Sequence, residues 1–440
     1  MVLFILPISL ILINCIFILI IFYNFYWKRR NLPDGPIPLP IIGNALEISN
    51  ADRRYKCFAD WAKKYGSVDG IIRTNGEQWR QMRKFFYKAM RDYGIDKDTV
   101  LDAIFRVIDK IKNEKEMGKL EHSIDREVDL MTGSIINQIM LGFSFYGERF
   151  KEFSGLKQLL DIQQVYFISF WSLLIEMSPW IRHIPIYVKH FYNYGKKATE
   201  SIFEYSKKEI DKRIEARKDP NYLPEEGMDV LDQFLESETT SNTINFLILY
   251  LMLDQNSQEK LQNELDKVME EKRGLAEETG EEFDGKFCQS DRTKLSYTNA
   301  VVNETQRLSN LLPLNLTRVA NKDVKIGGHS LKAGTVVIPQ ISTVLFDERI
   351  FPDPEKFIPE RFLDENGQFK KIEENIPFGV GKRSCVGEAL ARMELFLFTA
   401  NFFYKFHVYP PNPLNPPKYE KRQTFAVKLP EYNCSVELRN

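Results

Sequence analysis

The longest uninterrupted run of apolar positions lies at the start of the chain. Residues 2–26 carry no acidic or basic side chain, and the run is followed by the basic cluster Lys28-Arg29-Arg30. A helix needs about 20 apolar residues to cross a bilayer, so the pattern predicts a transmembrane anchor over residues 2–27. A cleaved signal peptide is the alternative, but such a leader carries positive charge before a shorter apolar core. Because basic residues beside a span stay in the cytosol, we expect the rest of the chain to face the cytosol.

Prolines dominate the segment that follows this run. Pro33, Pro36, Pro38 and Pro40 fix φ and remove backbone donors, so a helix is excluded. The composition predicts a stiff, extended connector over residues 28–44, basic at its start. The connector is either a simple linker or a spacer that holds the following body at a fixed attitude to the membrane.

Beyond the connector, the hydrophobic period is helical for most of the chain. From Asp52 to about Arg217, apolar residues recur at three- and four-residue steps, with charged residues on the other face. Residues 228–253 contain no glycine or proline and predict one long helix with an apolar second half. The acidic, glycine-containing stretch from Glu270 to Asp284 predicts a solvated loop.

After Leu311 the pattern changes to short segments that alternate around turns. Residues 324–328 and 334–338 predict short strands, as do residues 424–429 and 434–438. No internal repeat and no second domain boundary is visible. We therefore predict a mainly α fold with a minor β region, formed as a single large helical domain over residues 45–440 behind the N-terminal membrane helix.

The bulk composition narrows the classes of function. The 440-residue chain has a formal net charge of −1, which argues against a nucleic-acid partner. Its five cysteines are scattered and odd in number, a usage that fits a reducing compartment better than a disulfide framework. Its five histidines form no HExxH-type pair, so a histidine metal site is not expected.

Cys385 lies in the stretch 378–388, where glycines at 379, 381 and 387 precede a helix-forming run. A cysteine at the start of a helix meets backbone N–H groups and the positive end of the helix dipole. Together with the nearby Arg383, these charges favour the thiolate, which is the form that ligates a metal. The glycines leave room for a flat macrocycle beside the backbone. A buried structural cysteine is the alternative for any lone cysteine.

The pattern Phe-x-x-Gly-x-Arg-x-Cys-x-Gly is complete at Phe378, Gly381, Arg383, Cys385 and Gly387. In this form the stretch resembles the haem-binding loop of the cytochrome P450 family, of the animal microsomal type. The resemblance extends over essentially the whole chain. It implies that Cys385 is the axial ligand of a haem b iron and that the five pattern residues surround the cofactor.

Two further motifs follow in the order of that family. Glu304 and Arg307 are three residues apart on a predicted helix and therefore share a face. Alone, such a pair is usually a surface ion pair of little energetic value. Downstream, Pro359–Phe362 resembles the family's loop whose arginine, here Arg361, joins the pair in a buried network. By resemblance, these residues hold the scaffold around the cysteine loop and do no bond-making chemistry.

Arginine and tryptophan side chains are expected to bind the haem propionates. Trp79 and Arg83 share one face of a predicted helix and match the family's Trp-x-x-x-Arg, and bidentate Arg–carboxylate pairing supplies the physical basis. Arg318 and Arg383 fit the other contacts, although Arg318 alone could be a surface arginine. Basic residues around Arg83 and at Lys382 predict a face that docks an acidic electron donor, with a merely solvated surface as the alternative.

Glu238 and Thr239, in the long predicted helix, resemble the oxygen-activation segment of the family. In that segment an acid and a threonine hydroxyl hold water and relay protons to dioxygen. A threonine inside a helix can also bond a carbonyl one turn back and bend the helix, which makes room beside the iron. The resemblance therefore implies catalytic roles for Glu238 and Thr239.

Two segments that the family normally carries look absent from this chain. Ser67 runs almost directly into Gly70, and Glu236 joins Ser237 at the second gap. At the family's pair of small residues this chain has Leu235 and Glu236, whose long side chains would crowd the oxygen side of the iron. The sequence is therefore either an exon-skipped product or a faulty gene model of an active enzyme, or that of a degenerate paralogue.

The resemblance implies a haem-thiolate monooxygenase that inserts one atom of dioxygen into a lipophilic substrate. Electrons would come from an NADPH-dependent flavoprotein reductase, with a cytochrome b-type protein as an additional donor, because the chain has no GxGxxG nucleotide site. The thiolate donates electron density that favours O–O cleavage. The expected location is the endoplasmic reticulum membrane, with a single pass and a cytosolic body. A catalytically inactive haem-binding, or haem-free, membrane-anchored relative is the alternative.

Overall fold

The computed structural model of the protein describes residues 97–141, 143–169, 230–316, 318–320, 322–422 and 426–439, with isolated positions between 184 and 209. The predicted anchor, the connector and the Trp79–Arg83 pair lie outside the described residues, as does the junction at Ser67. Within the described ranges, no helix is long and apolar enough to cross a membrane.

The chain divides into two compact units. The first unit contains residues 1–74, 163–197 and 314–343, and the second contains residues 75–162, 198–313 and 344–440. Most of the described residues belong to the second unit, and so does the loop that contains Cys385.

Helices make up most of the described chain, as the hydrophobic period predicts. They are α1 (Lys97–Glu116), α2 (Asp125–Leu141), α3 (Phe150–Ile168), α4 (Val230–Leu253), α5 (Gln255–Thr279), α6 (Ser296–Ser309), α7 (Ser342–Leu345) and α8 (Glu388–Lys405). The long helix predicted over residues 228–253 is confirmed as α4. The described positions between 195 and 209 are also helical.

The β structure is small and antiparallel. Its strands are β1 (Glu121–His122), β2 (Arg318–Val319), β3 (Val324–Ile326), β4 (His329–Leu331), β5 (Val336–Val337), β6 (Phe406–Tyr409) and β7 (Cys434–Leu438). They pair in the orders β1-β7-β6, β2-β5 and β3-β4. The predicted minor β region is therefore confirmed. Within the strand predicted over 424–429, however, Lys428 is the only described residue that forms a β-bridge, and its partner is Arg422.

The core of the second unit is built around α4, which packs against α2, α6 and α8. The second half of α4 is apolar on all sides, and Ile244, Leu247 and Leu251 have no exposed surface. A helix that is hydrophobic all round is buried, which explains the composition of this segment. On α8, the rings of Phe398 and Phe402 stack with centroids 4.9 Å apart.

The prediction of a solvated loop from Glu270 to Asp284 is wrong for the first part of that stretch. The helix α5 continues to Thr279 and ends at Gly280, which has a φ of 71° and donates its N–H to the carbonyl of Ala276. Glutamate, lysine and arginine have high helix propensity, and this outweighs the cost of about 1 kcal/mol of the single interior glycine, Gly274. The segment is solvated, as expected, but its first part is helical.

Candidate functional site

The Cys385 loop is a closed turn that delivers the cysteine to the start of a helix. Gly379 and Gly381 have φ values of 71° and 77°, in the left-handed region that glycine adopts without strain. A short 3-10 turn over Gly381–Arg383 follows, and the Cys385 N–H donates to the Phe378 carbonyl at 2.8 Å. Gly387 then caps the N-terminus of α8. The predicted loop leading into a helix is confirmed.

The environments of the described cysteines differ in a way that singles out Cys385. Cys434 is fully buried on β7, and burial raises the pKa of its thiol to about 12, so it stays protonated. Cys385 is only half-buried and lies just before the N-terminal end of α8. The dipole of a helix favours an anion at that end. Cys288 is also half-buried, but it precedes only the short 3-10 turn Gln289–Thr293, so Cys385 is the described cysteine that lies at the start of a long helix.

The other pattern residues line the same loop. Phe378 is half-buried, and its ring centroid lies 4.9 Å from the guanidinium carbon of Arg392 on α8. Arg383 is half-buried at the end of the 3-10 turn, whereas its neighbour Lys382 is exposed. The loop thus carries one partly covered cation beside the cysteine and one cation that is open to solvent.

Glu304 and Arg307 form a buried bidentate ion pair on α6. Arg307 donates through Nε to Glu304 Oε2 at 2.7 Å and through Nη2 to Glu304 Oε1 at 2.9 Å. Both side chains have no exposed surface. Charged groups that lose all contact with water require such pairing, because desolvation costs several kcal/mol per ion. The pair is therefore part of the core of the second unit.

Further contacts complete this network as the resemblance implies. Arg307 donates to the carbonyls of Leu345 and Lys356, at 2.9 and 3.2 Å. Glu304 Oε1 also accepts from the N–H of Ile358 at 2.9 Å and from Arg361 Nε at 3.4 Å. The network ties α6 to the segment that ends in Pro359–Phe362, so the predicted joining of Arg361 to the Glu304–Arg307 pair is confirmed.

Arg318 lies in the first unit, at the start of β2. It pairs with Val337 in the β2–β5 ladder, and its side chain is buried. Among the described residues, no acceptor bonds its Nε. Burial lowers the pKa of this guanidinium. Because its side chain is buried, the interpretation of Arg318 as a surface arginine is excluded.

Glu238 is buried on α4, and its carboxylate has a cationic partner from another helix. Lys157 of α3 forms an ion pair with Glu238 and a second ion pair with Asp129 of α2, at 3.1 Å. The exposed fractions of the Glu238 and Lys157 side chains are 2% and 17%. The residue assigned to proton relay is therefore held in a three-membered charged cluster.

Thr239 is half-buried one position further along α4. Its carbonyl accepts from the Thr243 hydroxyl at 2.8 Å, and the Glu238 carbonyl accepts from the Ser241 hydroxyl at 3.2 Å. Such side-chain bonds to the preceding turn compete with the helix ladder. Hydroxyls thus bond α4 carbonyls at the predicted segment. The side chains of Leu235 and Glu236 lie outside the described residues.

Sequence reasoning missed Lys157 and Asp129 as partners of Glu238. Lys157 precedes Glu238 by 81 positions and lies in an ordinary amphipathic helix. No motif marks either residue, because the contact arises only when α2, α3 and α4 pack together. A single lysine on a helix face gives no signal that its partner is a distant carboxylate.

The described residues fit a haem with one cysteine ligand. Within the second unit, Cys385 supplies a sulfur just before the N-terminus of α8, and Arg383 supplies a half-buried cation two positions away on the same loop. No group of three or more histidine, cysteine or carboxylate side chains that could hold a metal ion occurs in the described part of the chain. The described chain thus combines a cysteine loop that leads into a helix with a Glu–Arg–Arg network, the two features expected of a haem-thiolate protein of the resembled kind.

Comparison with known proteins identifies the family within this class. The family described as Cytochrome P450 matches residues 68–437. Cytochrome P450 2H2 of Gallus gallus is 29% identical over 92% of this chain and 93% of its own length. Cytochrome P450 2J5 of Mus musculus is 30% identical over 87% of this chain and 86% of its own length. Cytochrome P450 2A6 of Homo sapiens is 29% identical over 87% of this chain and 89% of its own length.

The chain belongs to the cytochrome P450 family. The predicted resemblance to the animal microsomal type is confirmed by these animal relatives. Members of the family are haem-thiolate monooxygenases, in which a cysteine thiolate ligates the haem iron. The predicted reaction class and cofactor are therefore confirmed at the level of the family.

The length of one alignment bears on the absent segments. The alignment with Cytochrome P450 2H2 extends over 478 positions, more than the 440 residues of this chain. That relative therefore carries residues that have no counterpart here. The alignment length agrees with internal deletions, and the two junctions at Ser67 and Glu236 stay a prediction.

Proposed function

We propose that this chain is a membrane-anchored monooxygenase that inserts one oxygen atom into a lipophilic substrate. The observation that carries the proposal is the geometry of the Cys385 loop, which presents a half-buried sulfur just before the N-terminus of α8. Electrons come from an NADPH-dependent flavoprotein reductase, with a cytochrome b-type protein as an additional donor. Residues 2–27 anchor the body to the endoplasmic reticulum membrane, which gives access to apolar substrates.

Each candidate site residue has a defined task in this proposal. When bound, the haem activates dioxygen, and the thiolate ligand increases the electron density that this chemistry needs. Cys385 holds the iron, with Phe378, Gly381 and Gly387 shaping the loop around its sulfur. The propionates are neutralised by cationic or N–H donors from separate segments, namely Trp79, Arg83, Arg318 and Arg383.

Proton delivery is assigned to Glu238 and Thr239. The Glu238 carboxylate shares the Lys157 ammonium with Asp129, so a proton can be exchanged within a buried hydrogen-bonded cluster. The Thr239 hydroxyl stands next to Glu238 on α4 and would hold water beside the reacting oxygen. The assignment requires that this cluster opens or rearranges when substrate binds.

A second candidate function is that of a catalytically inactive haem-binding relative. The ion pair of Glu238 with Lys157 favours this function, because it engages the carboxylate that proton relay needs. The long side chains of Leu235 and Glu236 also favour this function, because they would crowd the oxygen side of the iron. In such a relative, haem is bound and reduced, but substrate is not turned over.

Substituting Cys385 by serine tests the ligand common to both functions. Cys385→Ser removes the sulfur, so purified protein is expected to lose most of its haem, measured as haem per polypeptide. Cys288→Ser, which changes a half-buried cysteine outside the loop, is the matched control and should keep its haem. Unchanged haem content in Cys385→Ser would show that another residue ligates the iron.

A further inference from the structure

A proline-rich segment follows β6 in the second unit. Residues 410–418 have the sequence Pro-Pro-Asn-Pro-Leu-Asn-Pro-Pro-Lys, with five prolines among nine residues. Such a composition is typical of stiff connecting segments and of ligands for polyproline-binding domains. The proposed haem chemistry does not use this segment, since no candidate site residue lies in it.

The segment is open to solvent along most of its length. Every residue from 412 to 416 is exposed. Among the large apolar side chains of the described chain, Leu414 is the most exposed, with 96% of its surface open. Apart from the Glu420 N–H on the Lys418 carbonyl, no hydrogen bond joins the segment to the rest of the described chain. A partner can therefore reach both its backbone and its side chains.

Both ends of the segment are fixed on the body of the second unit. Tyr409 ends β6 and pairs with Ser435 of β7. Tyr419 follows the segment, is half-buried and accepts from the Tyr250 hydroxyl at 2.9 Å. Each proline ring also fixes its own φ. Fixed ends and fixed φ values limit the conformations of the free segment, which lowers the entropy lost when a partner binds.

The segment contains the pattern Pro-x-x-Pro-x-Lys at Pro413, Pro416 and Lys418. In a polyproline helix about three residues complete one turn, so prolines three apart lie on the same edge. Protein domains with grooves lined by aromatic side chains bind such an edge. Lys418 is exposed and forms no ion pair with another described residue. Its ammonium group can therefore enter an acidic pocket beside the groove.

A second proline pattern overlaps the first. Residues 416–419 have the sequence Pro-Pro-Lys-Tyr, a Pro-Pro-x-Tyr pattern of the kind that WW domains bind through the tyrosine ring. The Tyr419 ring, however, packs against Tyr250, with centroids 5.3 Å apart. A WW domain would have to withdraw this ring from the core, whereas the prolines and the lysine of the first pattern lie at the surface. The structure thus favours a partner that binds Pro-x-x-Pro and a cation.

Binding in an extended groove requires one local change. Asn412 holds a turn, because its carbonyl accepts from the Asn415 N–H at 3.1 Å and its Oδ1 accepts from the Leu414 N–H at 3.0 Å. The turn bends the chain at Pro413. Water can replace both hydrogen bonds at this exposed position, so opening the turn costs little.

We propose that residues 412–418 bind an SH3-type domain of a cytosolic partner. The aromatic groove of that domain takes Pro413 and Pro416, and its acidic pocket takes Lys418. The proposal rests on the proposed function only for the cytosolic position of the body, and no haem-binding residue takes part. The anchored chain would hold the partner at the membrane surface.

Biolayer interferometry with the full-length chain in detergent tests the proposal. The probes are a panel of purified SH3 domains that select a basic residue after Pro-x-x-Pro. We expect saturable binding by at least one of them, with a Kd in the micromolar range. If none binds saturably up to millimolar concentration, the segment is a connecting loop and the proposal is overturned. Haem does not enter this readout, so its result is separate from that of the haem chemistry.

Substitutions within the segment locate the binding site. Pro413→Ala/Pro416→Ala removes both prolines of the pattern, and Lys418→Glu reverses its charge. Each should weaken SH3 binding at least tenfold. The matched control Pro411→Ala/Pro417→Ala changes as many prolines in the same segment and should leave the affinity unchanged. Equal losses in the two double variants would show that stiffness and not the pattern governs binding, which would overturn the proposal.

A WW domain serves as the competing probe. The packing of Tyr419 predicts that it does not bind the folded chain. If the WW domain binds and the SH3 domains do not, the recognised pattern is Pro-Pro-x-Tyr and the proposal fails. Circular dichroism checks that the variants keep the fold, as expected for substitutions in an exposed segment.

Discussion

Arg307 is a charged side chain with no exposed surface, and its stability in that position depends on partners from three segments. Glu304 neutralises it within α6, while the carbonyls of Leu345 and Lys356 accept from its remaining N–H groups. The spacing of Glu304 and Arg307 is visible in the sequence. Their burial also depends on the carbonyls of Leu345 and Lys356, and no sequence pattern predicts those contacts. At the scale of the residue, this network ties α6 to the segments around Leu345 and Lys356.

Removing one member of this network is expected to be severely destabilising. Arg307→Leu leaves the Glu304 carboxylate buried without its main cation, which should lower the free energy of unfolding by about 3–5 kcal/mol. Urea unfolding followed by circular dichroism measures the change. The control is Lys371→Ala, which removes an exposed ion pair with Glu373 and should cost less than about 1 kcal/mol. Equal midpoints for the two variants would contradict a stabilising role for the network.

The predictability of single residues follows from how local their signal is. Cys385 was predictable because its glycines, arginine and helix start lie within one short stretch, and the structure places that stretch as a closed turn. The ion pair of Glu238 with Lys157 was not predictable, because its members come from two helices and no spacing relates them. The burial of Arg318 was likewise invisible, since a two-residue strand has too short a pattern to show which face is covered.

At the scale of the element, helix existence was predicted better than helix ends. The pattern predicts the apolar second half of α4 correctly, whereas it predicts a loop at the acidic end of α5. A solvated helical turn has no buried face, so its period is weak and its charged composition resembles that of a loop. Only the left-handed Gly280 marks the true end of α5.

The start of α6 provides a test at this scale, because a side chain from another helix caps it. Glu264 of α5 accepts from the N–H groups of Tyr297 and Thr298, at 2.6 and 2.8 Å. Free N–H groups at a helix start need an acceptor, and losing a cap costs roughly 1–2 kcal/mol. Glu264→Ala should therefore lower the free energy of unfolding by about that amount.

Thermal and urea unfolding by circular dichroism would measure this effect. Glu259→Ala, an exposed position on the same helix α5, controls for the change in helix propensity and should be close to neutral. If both alanine variants were equally stable, the hydrogen bonds of Glu264 would not contribute to the stability of α6.

At the scale of the whole molecule, the proposed reaction needs a partner that delivers electrons. Lys382 is exposed on the cysteine loop, next to Arg383, and is a described member of the predicted basic docking face. Charges at the edge of an interface mainly change the association rate and its dependence on salt. The loop that ligates the iron would then also receive the donor.

Reversing the charge at Lys382 tests this docking face. Lys382→Glu should slow NADPH-driven reduction of the haem by a purified flavoprotein reductase several-fold, with a weaker dependence on ionic strength. Reduction by dithionite should be unchanged, since it needs no docking. Lys371→Glu makes the same charge change at an exposed position outside the loop and should leave both rates unchanged. Equal effects of the two variants would show that the loop is not part of the docking face.

The central claim, that Cys385 holds a haem iron with an open oxygen site, is tested most directly by a carbon-monoxide difference spectrum. Membranes that contain the full-length chain are reduced with dithionite and then exposed to carbon monoxide. We expect the strongly red-shifted Soret band that an iron with a thiolate ligand gives. A band typical of haem with a neutral ligand, or no band at all, would contradict the claim, because it would show that the chain forms no thiolate-ligated haem with an open oxygen site.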